Sequence, residues 1–596
     1  MKQLAYLNRY FWKYKWHFLS GICFVTISNL FGIFPAQLTR NALDAVAGNI
    51  DSYRLFDGFQ YQDDARSMLL KASLMFGVLV IAMALLKGVF MFLMRQTIIV
   101  MSRHVEYDMK NEIYSHYQKL DAGFYNKNST GDLMNRISED VGRVRMYVGP
   151  AVMYTINLIV LFILVISAML SVNTRLTFYV LLPLPILTFI VYYVHDLINK
   201  RSERVQEELS SLSTFVQEAF SGIRVIKSYA REKVYSKMYA DQSERYKEVN
   251  MHLVKVNALF MPSMLLLVGV STILTIYIGS LEVMQGRITI GNIAEFVIYV
   301  NMLTWPVASL GWTVTLVQRA AASQERINEF LNTEPAIKNG ILKHDFEGSI
   351  ELKNVTVSYP QSGTVALNNI SFKINKGESL AVTGRTGSGK STLVNVMLRI
   401  IDPDKGAVYI DGINLKELER KHYLSQTGCV PQEVFLFSET IEGNIAFGMD
   451  AGTDRIKIEE AARNAAVYQN IMELPRGFDT VVGERGITLS GGQKQRISIA
   501  RALIRNPKLL ILDDCLSAVD TLTEETILQN LNRLMKERTT VIVSHRVSSV
   551  MNADHIIVLD EGKIAEQGKH QSLLAAGGLY ASLYHMQLME EKQDGA

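Results

Sequence analysis

The sequence predicts an α-helical membrane domain of six transmembrane helices with long cytoplasmic extensions, joined to an α/β domain built around a P-loop. Three observations predict it. Six apolar runs of membrane-spanning length lie before residue 320. Basic residues crowd alternate connections between these runs. After residue 325 the apolar runs shorten to strand length. They alternate with polar helical stretches around a glycine-rich segment of phosphate-binding spacing.

Composition agrees with two unlike halves. Of 596 residues, 48% are hydrophobic and 20% charged, too apolar for an ordinary soluble protein and too charged for a wholly membranous one. A formal charge of +3 is nearly neutral and argues against nucleic acid as a partner. Cys23, Cys429 and Cys515 lie too far apart for metal-ligand spacing, and a disulfide framework is not expected. Cys23, inside an apolar run, reads as a small buried hydrophobe. No cleavable signal peptide is evident. The basic, aromatic start through Phe18 reads as an interfacial lead-in to the first span.

The six runs fall at roughly residues 16–38, 72–94, 149–172, 175–195, 257–280 and 293–316. A tight turn over Ser171–Arg175 makes the third and fourth a hairpin. Lys2, Arg9, Lys13 and Lys15 precede the first span. Arg95, Arg103, Lys110, Arg136 and Arg145 fall between the second and third, and Lys200, Arg201, Arg204, Arg224 and Arg231 between the fourth and fifth. The other connections carry far fewer, so the positive-inside rule puts both termini in the cytoplasm. The two basic connections are about 55–60 residues each and rich in helix formers, enough for hairpins reaching about 40 Å from the membrane. Breakers place one tip at Asp121–Gly131 and another near Ser211–Gly222.

Lys87, Asn157, Glu295, Asn301, Trp305 and Trp312 fall within spans, where polar groups take a functional reading by default. Against it stand snorkelling for Lys87, an outer-end position for Glu295 and helix–helix bonding for Asn157. Pro183, Pro185, Pro262 and Pro306 are expected to bend their spans around an internal space.

Residues 1–325 form the membrane domain, 326–348 a polar linker with Pro335 and Gly340, and 349–590 the nucleotide-binding domain. Gly384, Arg385, Thr386, Gly387, Ser388, Gly389, Lys390 and Ser391 fit G-x-x-x-x-G-K-[ST], after a strand-like Ser379–Thr383 and at the start of a helical Ser391–Arg399. Glycines let backbone N–H groups wrap phosphate oxygens, and the helix N-terminus adds its positive dipole end. Lys390 neutralises the outer phosphates and the Ser391 hydroxyl can ligate Mg2+. Leu509–Asp513 is an apolar strand ending in a carboxylate, which suits a second magnesium-side ligand. A buried strand with a turn Asp is the bland alternative, and the phosphate loop makes it the weaker one.

Leu489-Ser490-Gly491-Gly492-Gln493 resembles the signature of ATP-binding cassette (ABC) proteins. The resemblance extends in order and spacing over essentially the whole chain, which is similar to bacterial multidrug and lipid exporters of the half-transporter kind. It implies an ATP-binding cassette using ATP and Mg2+. Tyr359 resembles the adenine-stacking aromatic, and Thr392 follows the phosphate loop. Gln432 resembles the magnesium-sensing glutamine, and His545 the switch histidine. Ser391, Gln432 and Asp513 thereby become the expected metal set. Asp514, His545 and Gln432 become the expected catalytic set, and Ser490, Gly491, Gly492 and Gln493 the part completing a partner's site. Thr480–Gly486 resembles an exporter-specific loop, Ser517–Asp520 a segment coupling two sites, and Phe124–Asp132 with Arg136 and Asp140, and Glu218–Lys227 with Arg231, the two coupling regions.

One residue departs. Where the family usually has Glu after the metal-binding Asp, this chain has Asp514. Aspartate withdraws the carboxylate by about an ångström, and misplacement on that scale can cost about 100-fold in rate. Within the family this pattern implies the weak-site half of a heterodimer, partnered by a second ABC half-transporter carrying Glu; a homodimer with two slow sites stays open. The expected activity is ATP-driven export of amphipathic small molecules, lipids or peptides across a bacterial plasma (inner) membrane. A homodimeric lipid or drug flippase, or an ATP-gated channel or regulatory ABC protein, is the alternative.

Overall fold

The computed structural model describes residues 2–55, 61–359, 363–449, 452, 454–483, 489–515, 527, 529, 530, 533, 535 and 538–594. The chain divides into two compact units. One comprises Met1–Lys119 and Ser129–Thr333, the other Leu120–Asn128 and Glu334–Ala596.

The membrane unit holds six helical segments long and apolar enough to cross a bilayer among the described residues: Lys15–Ile50, Arg66–Tyr117, Thr130–Val172, Thr174–Ser221, Glu232–Met284 and Ile290–Leu331. Lipid offers no hydrogen bonds to the backbone, so a crossing segment must satisfy its own N–H and C=O groups as helix. The helices outrun the membrane. Tyr61–Tyr117 has 57 residues, about 85 Å at 1.5 Å per residue. The last helix continues to Leu331, so the first residues of the stretch expected as a linker are helical.

The first long connection breaks where its breakers predict. The Asp121 carboxylate accepts from the Phe124 N–H at 3.2 Å and caps a short helix, Ala122–Lys127. Ser129 caps the next, Thr130–Asn135. The second tip falls at the far end of the Ser211–Gly222 stretch expected for it. Pro183–Ser221 stays helical through Ser211, and the break falls at Gly222, followed by a short helix Ile223–Ser228 and Ala230 at φ 48°. Isolated serines are tolerated on a solvated helix; the glycine is what ends it.

The hairpin between the third and fourth spans turns on Asn173. Its Oδ1 accepts from the Leu176 N–H at 2.8 Å, and its Nδ2 donates to buried Glu282 at 3.1 Å. Tyr147–Ala151 widens into a π-turn at Pro150, which has no N–H for a regular i→i−4 bond. Pro183 heads the helix Pro183–Ser221, where a missing N–H is harmless, while Pro262 and Pro306 sit inside continuous helices.

Several polar groups within the spans have structural partners. Fully buried Glu295 accepts from Arg40 at 3.2 Å, Asn292 at 3.1 Å and Tyr299 at 2.8 Å, tying the sixth helix to the first. Asn157 accepts from Asn29 at 3.0 Å. Cys23 is exposed rather than buried. An apolar run in a membrane helix need not face protein, because lipid also receives it.

In the second unit, β1 (Ile350–Tyr359), β2 (Thr364–Ile374), β4 (Lys405–Ile410) and β5 (Ile413–Asn414) form an antiparallel sheet in the order β2-β1-β4-β5. A second sheet runs β10-β9-β3-β8-β7-β6, from β3 (Ser379–Gly384), β6 (Thr427–Val430), β7 (Leu509–Asp513), β8 (Thr539–Val543), β9 (His555–Asp560) and β10 (Lys563–Gly568). All its pairings are parallel except the edge pair β9–β10. Buried on both faces, its strands are apolar on both. Leu510, Leu512 and Ile542 join one core, while Leu509, Ile511, Val541 and Val543 join the other.

Glu295→Ala is expected to strand Arg40, Asn292 and Tyr299 and to destabilise the membrane unit by about 3 kcal/mol. Glu295→Gln, which keeps acceptor capacity, should lose less. Thermal melts of the purified full chain check the order.

Candidate functional site

Parallel strands bring their carboxyl ends to one sheet edge. Val382 of β3, Val543 of β8 and Asp513 of β7 lie in one register row. Beyond that row β3 runs into Gly384 and β8 into His545, and Asp514 follows β7. Gln432 stands two residues past the end of β6. Residues drawn from separate stretches of the sequence are thereby assembled at a single edge.

The glycine-rich segment closes over this edge and leads into the helix Lys390–Met397. Gly384 has φ 145°, and a Cβ there would come within 2.1 Å of the Leu559 carbonyl oxygen; Gly389 has φ 101°, and its Cβ would meet the Ala366 oxygen at 2.3 Å. Only glycine fits either place. Arg385, Thr386 and Gly387 are exposed on the loop, Ser388 is buried, and the Ser388 hydroxyl has no partner among the described residues. Lys390 Nζ donates to the carbonyls of Gly384 and Arg385, both at 2.8 Å. Burial lowers its pKa from the usual lysine value, against the opposing fields of Asp514 and Asp513.

Asp513 is buried, and its Oδ1 has no hydrogen-bond partner among the described residues. Burial pushes its carboxyl above the ordinary range; Asp514 adds to this, while the Ser391 hydroxyl bond and Lys390 oppose it. The Ser391 hydroxyl also reaches Gln432 Oε1 at 3.4 Å. The three expected metal ligands therefore converge. An unsatisfied carboxylate oxygen beside a hydroxyl and an amide oxygen suits a small hard cation whose other ligands are phosphate and water oxygens. No cluster of three His, Cys, Asp or Glu able to hold a metal alone occurs among the described residues.

Asp514 occupies left-handed backbone space, φ 47°, and its N–H donates to the Val543 carbonyl at 2.7 Å. Its Oδ1 lies 2.9 Å from His545 Nδ1. The shortened carboxylate is thus joined to the expected switch histidine, an arrangement that motif spacing does not reveal. Tyr359, at the end of β1, places its hydroxyl 3.2 Å from the Thr392 hydroxyl.

Ser490–Gln493 is arranged differently. Ser490 caps the helix Gly491–Leu503, with reciprocal bonds between the Ser490 and Gln493 backbones and side chains at 2.9 and 3.3 Å. No hydrogen bond joins it to the glycine-rich loop among the described residues. Its first turn presents free N–H groups and the exposed Gly491, a ready anion-binding end. Glu484–Gly486 and Ser517–Asp520 lie outside the described residues.

Sequence reasoning missed the support of the segment after Gln432. Half-buried Arg501 donates to the carbonyls of Phe435 and Asn444 at 2.9 and 2.8 Å and to Asn444 Oδ1 at 2.9 Å, while Asn444 itself is fully buried. Nothing in its helical surroundings marks this arginine in the sequence.

A P-loop sheet edge in a chain with six membrane-length helices defines a membrane protein that carries its own nucleotide-binding domain. Comparison with known proteins gives the family. Residues 18–307 match the model of the ABC transporter transmembrane region, and residues 367–517 that of the ABC transporter domain. The chain is 36% identical to the multidrug resistance-like ATP-binding protein MdlA of Escherichia coli, over 82% of this chain and 83% of that one. It is 34% identical to an uncharacterized ABC transporter ATP-binding protein, YknU, of Bacillus subtilis, over 99% and 98%. It is also 34% identical to the ATP-dependent lipid A-core flippase of Aromatoleum aromaticum, over 81% and 80%. Its fold matches the structure of a bacterial Atm1-family ABC exporter with ATP bound, with a TM-score of 0.76 at 24% identity over 98% of this chain and 99% of that one. The chain belongs to the ABC transporter family.

Lys390→Ala is expected to weaken ATP binding by about tenfold or more. Asp513→Asn should leave nucleotide binding without magnesium nearly intact but remove the strengthening that magnesium gives. Titration with a fluorescent ATP analogue, with and without chelator, checks both.

Proposed function

We propose that this chain is one half of a dimeric ABC exporter that couples ATP hydrolysis to outward movement of amphipathic small molecules, lipids or peptides across the bacterial inner membrane, with both termini in the cytoplasm. The observation that carries the reading is the convergence of Lys390, Ser391, Asp513, Asp514, His545 and Gln432 at one sheet edge, in a chain with six membrane-length helices. The names of the multidrug and lipid A relatives support the substrate range.

In this reading Tyr359 packs against the adenine. The loop N–H groups, Lys390 and Thr392 bind the phosphates, and Ser391, Asp513 and Gln432 hold Mg2+. When bound, Mg2+ neutralises phosphate charge. Asp514 orients water, and its bond to His545 fixes where both side chains point. Ser490–Gln493 closes on nucleotide held by the loop of a second half-transporter. Closure favours the outward-facing membrane cavity by differential binding of nucleotide to the closed state. The cytoplasmic extensions carry the change, and hydrolysis resets it.

Asp514 favours a heterodimer in which this chain's own site is slow and its Ser490–Gln493 serves a Glu-bearing partner. A homodimeric flippase is the second reading, favoured by the presence of Tyr359, Gln432, His545 and a complete loop and signature in this one chain.

Magnesium-ATP hydrolysis by the purified chain separates them. For the heterodimer, native turnover should approach that of Lys390→Ala, and Asp514→Glu should raise it by about 10- to 100-fold. Exporter-like turnover by the native chain alone, abolished in Lys390→Ala, would establish the homodimer instead.

A further inference from the structure

A cavity of about 400 Å³ opens in the membrane unit where the second, third and sixth spans meet. Arg95 and Gln96 line it from the second, Pro150, Met153 and Tyr154 from the beginning of the third, and Trp312 from the sixth. The volume is that of a small-molecule site. The Tyr154 and Trp312 rings meet edge to face, with centroids 5.4 Å apart at 74°. Buried Met153 adds a polarisable apolar floor. One side of the cavity therefore receives hydrocarbon or aromatic surface.

The other side is cationic. Among the described residues Arg95 makes no hydrogen bond or ion pair. Elsewhere in the unit Arg40 holds Glu295, Arg145 holds Glu106 and Arg175 holds Glu282. Gln96 likewise has no partner among the described residues. Arg95 and Gln96 are both exposed, so the guanidinium stands open at the rim of the cavity, just past the end of an apolar span and beside an aromatic wall. Its planar fork of donors matches the oxygens of a phosphate or carboxylate. A cationic ligand would meet charge of its own sign, so the cavity selects by repulsion as well as by attraction.

We propose that this cavity binds an amphipathic anion, with its phosphate or carboxylate on Arg95 and Gln96 and its apolar body against Met153, Tyr154 and Trp312. This rests on the export reading and narrows its substrate class to anionic amphiphiles.

Four tryptophans are present. Trp12→Phe, Trp16→Phe and Trp305→Phe together leave Trp312 as the sole reporter in the purified full chain. Oleoyl lysophosphatidic acid is expected to change its fluorescence saturably, at about tenfold lower concentration than monooleoylglycerol, which has the same chain and no charge. Arg95→Gln should erase that difference and Arg95→Lys restore part of it. Retained binding of the uncharged lipid shows that the variants are folded. Equal midpoints for the two lipids, an unchanged preference in Arg95→Gln, or tighter binding of a cationic amphiphile would overturn the site. Inorganic phosphate alone acting at the same concentration would overturn the amphiphile assignment. ATP-driven uptake into inverted vesicles tests export separately. Uptake of a cationic dye together with equal midpoints sinks this site and leaves the exporter standing. Absence of uptake for every amphiphile in vesicles of Asp514→Glu, whose own site the export reading expects to turn over, sinks the exporter, while the titration still decides the site.

Discussion

A parallel sheet delivers the carboxyl ends of its strands to one edge, and much of the cassette's arrangement follows from that direction. β3, β6, β7 and β8 come from positions spread over more than a hundred residues, yet each ends within a few residues of a side chain in the candidate site. Burial on both faces holds the sheet flush against two cores, so the edge is a rigid platform. The costs are local. Gly384 and Gly389 accept backbone conformations and contacts closed to other residues, and Asp513 is left with an unsatisfied buried oxygen. Such an edge suits phosphate oxygens and a small hard cation.

The membrane unit answers a different constraint. Helix is compulsory in lipid, so its information lies in how helices end and where polar groups pair. Ser129, Asn173 and Thr289 each cap a helix with a side-chain oxygen. Asp121, in the second unit, caps a helix in the same way and uses its other oxygen for the Ala336 N–H of that same unit, at 2.7 Å. Glu295 and Glu282, buried and surrounded by donors, fasten neighbouring spans.

Much of this was legible in the sequence, because the physics is local. Apolar runs gave the six spans, breakers gave the first tip, and Ser490 with Gln493 three residues on is a readable capping box. The phosphate loop carried its own context of strand and helix. The misreadings concern what local pattern leaves undetermined. The serines before Gly222 look like part of a turn, but the helix runs through them and ends only at the glycine. Cys23 looks like core, since an apolar run does not say which of its faces meets protein. Arg40 for Glu295, Asn29 for Asn157 and His545 for Asp514 are separated from their partners by long stretches of chain, and no spacing encodes them.

Asp514 also bears on what its position tolerates. At φ 47° an L-residue is strained, and aspartate, whose short carboxylate bonds nearby groups, occupies that region more readily than longer side chains. A glutamate there would gain reach and lose that local relief. Chains of this kind therefore face an exchange between a relaxed backbone and a far-reaching carboxylate, a stability–activity trade-off confined to one residue.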